Sequence, residues 1–139
     1  MRVRDESPVH CMGTYQQALH AARMYTAEHA HGRSDACELW MEYHQANPHV
    51  LTILTEILLE AKFERGFGRW SIQGAMEVAR WERRFETDGE FKISNEVGAY
   101  YSRYIMMMRP ELYNFMKTKP SPADWELGWD AFRDVMRKT

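Results

Sequence analysis

The chain has 139 residues, 45% hydrophobic and 13% aromatic, with a formal net charge of −2 at pH 7. That composition excludes disorder over the whole length and suits one domain with a real core. There is no apolar run of membrane-spanning length and no charged start leading into an apolar signal region, and two cysteines, Cys11 and Cys37, are too few for a disulfide scaffold; the expectation is a cytoplasmic protein with no membrane partner.

Residues 1–12 carry Pro8 and no periodic pattern, and are expected to form a flexible N-terminal arm. Thr14 can cap a first helix running to about His31, with Gly32 as its stop; the apolar positions Ala18, Leu19, Ala22 and Tyr25 are small and weakly periodic, which places it on the surface of the core. Ser34 opens a second helix, Asp35 to Ala46, with Leu39, Trp40 and Tyr43 on its inner side. Asn47-Pro48 then supplies a cap and a first helical residue whose missing N–H costs nothing there. The helix that follows, about Pro48 to Glu64, has the most regular stripe in the chain, from Val50 through Ile53, Leu54, Ile57 and Leu58 to Ala61. It is expected to be the spine of the core and its most buried element.

Ser71 caps the next helix, which the pattern extends to about residue 86, with Ile72, Ala75, Met76 and Ala79 on one face. Asp88-Gly89 signals a turn, and Phe91–Ser94 alternates as a short strand does. Asn95 can cap a helix from Glu96 to about Met108 with a heavy aromatic face, and Pro110 starts a short helix to Lys117. Lys119-Pro120-Ser121-Pro122 is a connector, and Ser121 with Asp124 resembles a capping box ahead of a final helix, about Pro122 to Arg137, docked by Trp125, Trp129, Phe132, Val135 and Met136.

Charge is unevenly spread. Residues 1–61 hold four Lys/Arg against eight Asp/Glu, residues 62–109 nine against seven, and residues 110–139 five of each. Between Lys62 and Arg84 the count is six basic to three acidic, so a polyanion meets the middle of the chain sooner than its ends.

Patterns for chemistry are thin. The histidines and cysteines show neither Cys-x-x-Cys nor His-Glu-x-x-His spacing, and His29 and His31 do not share a helix face, so neither a metal nor another cofactor is expected. There is no Gly-x-Ser-x-Gly, and Gly66-Phe67-Gly68 lacks the ending of a phosphate loop. Glu56, Glu60 and Glu64 share a helix face, as a solvated face also shows. The expectation is a protein that is not an enzyme. Tyr100, Tyr101 and Tyr104 suit base stacking or core packing, and Met106-Met107-Met108 suits an adaptable contact surface or a half-buried helix.

The basic set is more informative. Arg80, Arg83 and Arg84 fall at i, i+3 and i+4 and share one face. Arg69 and Gln73 precede them, of types that contact phosphates and read base edges, and Lys92 on the short strand can touch a neighbouring phosphate. Glu77, Glu82 and Glu86 offer the competing use, helix-surface ion pairs.

Several runs together resemble a family of small uncharacterised bacteriophage and prophage proteins: Trp40-x-x-Tyr43-His44-x-x-Asn47-Pro48, Arg80-Trp81, Phe91-Lys92-Ile93-x-Asn95, Tyr101-x-Arg103 and Pro110-Glu111-Leu112. The likeness covers about Leu39 to Lys119. Where that family often has a run of asparagines after Phe-Lys-Ile, this chain has the single Asn95 between Ser94 and Glu96. The resemblance implies a phage context, in a bacterial host cell, and no particular activity.

The sequence is read as mainly α: a helical single domain with a minimal β-ribbon, similar to a winged helix-turn-helix. Residues 1–12 form the arm, 13–119 the helical core with its helix-turn-helix unit at 48–94, and 120–139 the docking helix. The expected function is duplex DNA binding by an accessory or regulatory protein, through Arg69, Gln73, Arg80, Arg83, Arg84, Lys92 and Asn95, with a homodimer compensating for the low net charge. The alternative is a protein-binding inhibitor of a host defence or transcription complex, for which the acidic N-terminal half, the aromatic helices and the methionine run speak.

Overall fold

Ser34 and Ser71 each stand one residue ahead of a helix and accept an amide of its first turn, from Cys37 at 3.2 Å and from Gly74 at 2.9 Å. Both are N-caps of the kind the sequence predicts. The computed structural model describes residues 12–29, 32–82 and 95–138. The helices are α1 (Met12–Glu28), α2 (Asp35–Ala46), α3 (Pro48–Phe63), α4 (Ile72–Trp81), α5 (Asn95–Met108), α6 (Ala123–Glu126) and α7 (Trp129–Arg137), with a 3-10 turn at Pro110–Leu112. The protein is mainly α. The expected turn at Asp88-Gly89 and strand at Phe91–Ser94 lie outside the described residues, as does the expected arm except for Met12.

The centre of the core is α5 rather than α3. Val97, Tyr100, Tyr101, Ser102, Arg103, Ile105, Met106 and Met107 of α5 are all buried, and the helix packs against α2, α3, α4, α6 and α7. α3 buries Val50, Leu54, Thr55, Ile57, Leu58 and Ala61, as its stripe predicts, but Ile53 is only half-buried. The pattern misranks the two because a helix covered on nearly all sides has no polar face to create a stripe. Met106 and Met107 are core residues, and Met108 alone of the three reaches solvent.

α1 is also more than a surface helix. Ala18 and Ala22 are fully covered, and their small side chains let α7 approach closely. Tyr15 meets Phe132 edge-on at 5.8 Å and donates its hydroxyl to the Met107 carbonyl, tying α1 to the end of α5. Burial, with Glu111 nearby, pushes the Tyr15 hydroxyl up to about 12.

Four sequence expectations are corrected. Thr14 lies within α1, which ends at Glu28 and not near His31. Asn47 makes no N-cap bond to α3; its Nδ2 donates instead to the Tyr43 carbonyl at 3.1 Å, closing the end of α2. The single helix expected from Pro122 to Arg137 is two helices, because Gly128 takes a left-handed φ of 77° between α6 and α7. The helix expected from Pro110 to Lys117 stops after one turn: Asn114 has φ 66°, and Met116 forms a parallel bridge with Trp70, whose N–H donates to the Phe115 carbonyl at 3.1 Å.

Candidate nucleic-acid interface

α4 divides cleanly into two faces. Ile72, Ala75, Met76 and Ala79 turn into the core, and Gln73, Glu77, Arg80 and Trp81 turn to solvent. Packed on α3 and α5, the helix leaves its outer stripe exposed. Arg80 is on that stripe but does not act alone: its Nη1 lies 2.5 Å from Glu77 Oε1, one turn back, as the competing ion-pair use requires. Both members are exposed, and such a pair contributes about 0–1 kcal/mol. Arg69 is exposed just ahead of the helix. Arg83, Arg84 and Lys92 lie outside the described residues, and Asn95 is described only as the first residue of α5.

The bridge between Trp70 and Met116 adds two residues that the sequence does not single out. It runs residues 69–71 and 115–117 side by side in the same direction, bringing Lys117 to the start of α4. Lys117, Lys119 and Gln73 share the lining of a cleft of about 610 Å³. Arg69, Lys117 and Lys119 have no ion-pair partner among the described residues, in contrast to Arg65, Arg80, Arg103, Arg109 and Arg133, which all pair with carboxylates. Among the described residues, unpaired positive charge is therefore present at the start of α4; Arg83 and Arg84, at the end where the sequence locates it, lie outside them.

The floor of the cleft is Arg103, only 2% exposed. Its Nε donates to Asp124 Oδ1 at 2.7 Å, Nη1 to the Ala99 carbonyl at 3.1 Å and Nη2 to the Lys119 carbonyl at 2.6 Å. Asp124 Oδ2 accepts the Ser121 amide at 3.1 Å, and Ser121 Oγ accepts the Ala123 amide at 3.1 Å, so the expected capping box is present and is locked to α5. Sequence reading passes over Arg103 as a structural residue; its one trace there is the Tyr-x-Arg run.

The other chemically notable groups are occupied structurally. Glu126 accepts the Ser34 amide at 2.5 Å, the Ser34 hydroxyl at 3.1 Å and the Tyr100 hydroxyl, joining α6 to α2 and α5. Burial, then Glu126, pushes the Cys37 thiol beneath them up to about 11, which keeps it protonated. Tyr100 and Tyr101 are in the core around Trp40 and cannot stack on bases: Tyr100 packs on the Trp40 ring at 5.7 Å and Tyr101 meets it edge-on at 5.8 Å. Among the described residues, no three of His, Cys, Asp and Glu come close enough to hold a metal ion. No helix among them is long and apolar enough to cross a membrane.

No family model, no curated protein and no solved structure is similar to this chain.

Proposed function

We propose that the protein binds duplex DNA through the outer face of α4 and the basic corner at its start, as an accessory or regulatory protein of a bacteriophage acting in the bacterial cell. The observation that carries this reading is that Lys117 and Lys119 line one cleft with Gln73 of α4, and that these lysines and the exposed Arg69 just ahead of the helix have no ion-pair partner among the described residues. Lysines and arginines of this kind hold phosphates and set the register, and Gln73, with its paired donor and acceptor, is the residue of the group suited to a base edge. In this reading α3 and α4 are the helix-turn-helix pair; the wing expected before Phe91 falls outside the described residues. The link between the two helices, eight residues from 64 to 71, is longer than the three- or four-residue turn usual in that motif. A homodimer supplies the second half of the footprint, because three or four phosphate contacts from one chain bind weakly at physiological salt. A gel shift on mixed-sequence duplex at low salt is the test: retardation at micromolar protein is expected, and its absence removes the reading.

A second reading, a protein that binds and inhibits a host complex, has one observation of its own. Trp81 is 88% exposed beside Arg80, and tryptophan and arginine are the side chains that most often anchor protein interfaces. The methionine run and the tyrosines of α5, which favour this reading in the sequence, are largely buried and lend it nothing. Recovery of a host protein that is lost with Trp81→Ala, from lysate treated with nuclease, would favour it over DNA.

A further inference from the structure

The cleft beside α4 has walls of different kinds. Ile72 and Gln73 of α4 form one side, Ala99 and Ser102 of α5 another, and residues 117–122 the third. Its volume, about 610 Å³, is within the range of small-molecule sites, roughly 300–1,000 Å³. Its third wall is anchored at two points. Residues 117–122 have no regular structure of their own, yet Arg103 holds the Lys119 carbonyl and Asp124 holds the Ser121 amide. Pro120 and Pro122 restrict the backbone between these anchors.

Its charge follows from the same bonds. The Arg103 guanidinium is committed to Asp124 and to the carbonyls of Ala99 and Lys119, so it shapes the cleft without leaving it positive. Lys117 and Lys119 carry the uncompensated charge, set against the single carboxylate of Glu96 in the lining. Thr118 and Gln73 add neutral hydrogen-bonding groups, the Ser102 hydroxyl being already donated to the Ala99 carbonyl at 2.9 Å, while Ile72, Ala99 and Pro120 give apolar wall. A ligand matching this surface has a compact anionic end for the lysines and a flatter, less polar body.

We propose that the cleft binds the phosphate of a nucleotide-sized phosphate ester, with Lys117 and Lys119 as the anion-binding residues. The ester is either a free nucleotide or a phosphate of the DNA itself. The proposal shares its two lysines with the duplex reading but does not depend on it. Glu96 lowers affinity for the bare anion, so its removal strengthens phosphate binding.

Amide NMR titrations of the full chain with inorganic phosphate, with a nucleoside 5′-monophosphate and with a short duplex test this. Saturable shifts at Ser102 and Thr118 are expected with both small probes, the monophosphate binding more tightly because its body meets the apolar wall. The double variant Lys117→Gln/Lys119→Gln should weaken the monophosphate roughly tenfold, the scale of one lost charge-assisted hydrogen bond. Lys138→Gln, just past the end of α7 and outside the cleft lining, serves as the charge control and should leave it unchanged, and Glu96→Gln should tighten inorganic phosphate. Absence of saturable shifts with both small probes, or equal affinity in the double variant, overturns the proposal. Duplex binding without ester binding overturns it too but leaves the duplex reading standing. Ester binding without duplex binding supports it and removes the duplex reading.

Discussion

Arg103 and Asp124, 21 residues apart, form the only ion pair among the described residues in which the arginine is buried: Nε to Oδ1 is 2.7 Å, and the side chains are 2% and 13% exposed. A buried pair is costly to desolvate, and removing one partner leaves the other charge stranded, at about 3–5 kcal/mol. Arg103→Met should therefore destabilise the fold by about that amount and free residues 117–122 from α5. Denaturant unfolding measures the first effect, and faster amide exchange at Ser121 reports the second. A variant as stable as the parent would show that the pair does not hold the connector.

Gly128 stands between α6 and α7, directly ahead of Trp129, and its left-handed φ of 77° is one that a side chain rarely adopts. A Cβ at this position would also meet the Ala22 carbonyl oxygen at 2.6 Å, which is backbone and cannot swing aside. Gly128→Ala should cost more than about 1 kcal/mol, with loss of the α1–α7 contact. Thermal melting checks the cost, and an unchanged melting temperature would count against the turn at Gly128.

Tyr101 is fully buried, yet its hydroxyl has no hydrogen-bond partner among the described residues. Burying an unpaired hydroxyl costs roughly 1–3 kcal/mol, so Tyr101→Phe, which keeps the ring packing on Trp40, should leave stability unchanged or raise it. A clear loss of stability would mean that the hydroxyl is engaged after all.

His44 sits among aromatic rings, parallel to Trp40 at 5.5 Å and edge-on to Tyr101 and Tyr104, with Nδ1 unpartnered among the described residues. Burial lowers its pKa below the ordinary histidine value of 6.5. The folded state thus favours the neutral ring, and the unfolded chain takes up the proton first as pH falls. The stability that His44 contributes is complete above that ordinary value and drains away as pH drops through it toward the lower folded value. His44→Phe should flatten this part of the stability–pH curve; curves for variant and parent that stay parallel below pH 6.5 would contradict the assignment.

What the sequence discloses is what short-range chemistry decides. Ser34, Ser71 and the Ser121–Asp124 box are legible because each cap and its target lie within three residues. The inward faces of α3 and α4 are legible from periodicity. Arg103 is not, because an arginine on a helix reads as solvent-facing until a carboxylate from a distant segment arrives. The break at Gly128 is hidden because the apolar spacing of Trp125, Trp129 and Phe132 continues through it. The cleft is hidden for a similar reason: Lys117 and Gln73 line it together where Trp70 bridges Met116, and that pairing depends on the fold and on no local pattern. Conversely, Arg80 draws notice in the sequence and proves to be paired with Glu77.

The most direct measurement of the central claim is the salt dependence of duplex binding, parent against Arg69→Gln/Lys117→Gln/Lys119→Gln, followed by fluorescence anisotropy. Each phosphate contact contributes about 0.9 to the slope of log affinity against log salt concentration. If these three residues hold phosphates, the variant should keep its melting temperature, bind more weakly, and show a slope shallower by up to about 2.7, the sum of three contacts. A variant that binds duplex with the parent's affinity and slope would contradict the account and place the DNA surface, if there is one, elsewhere on the molecule.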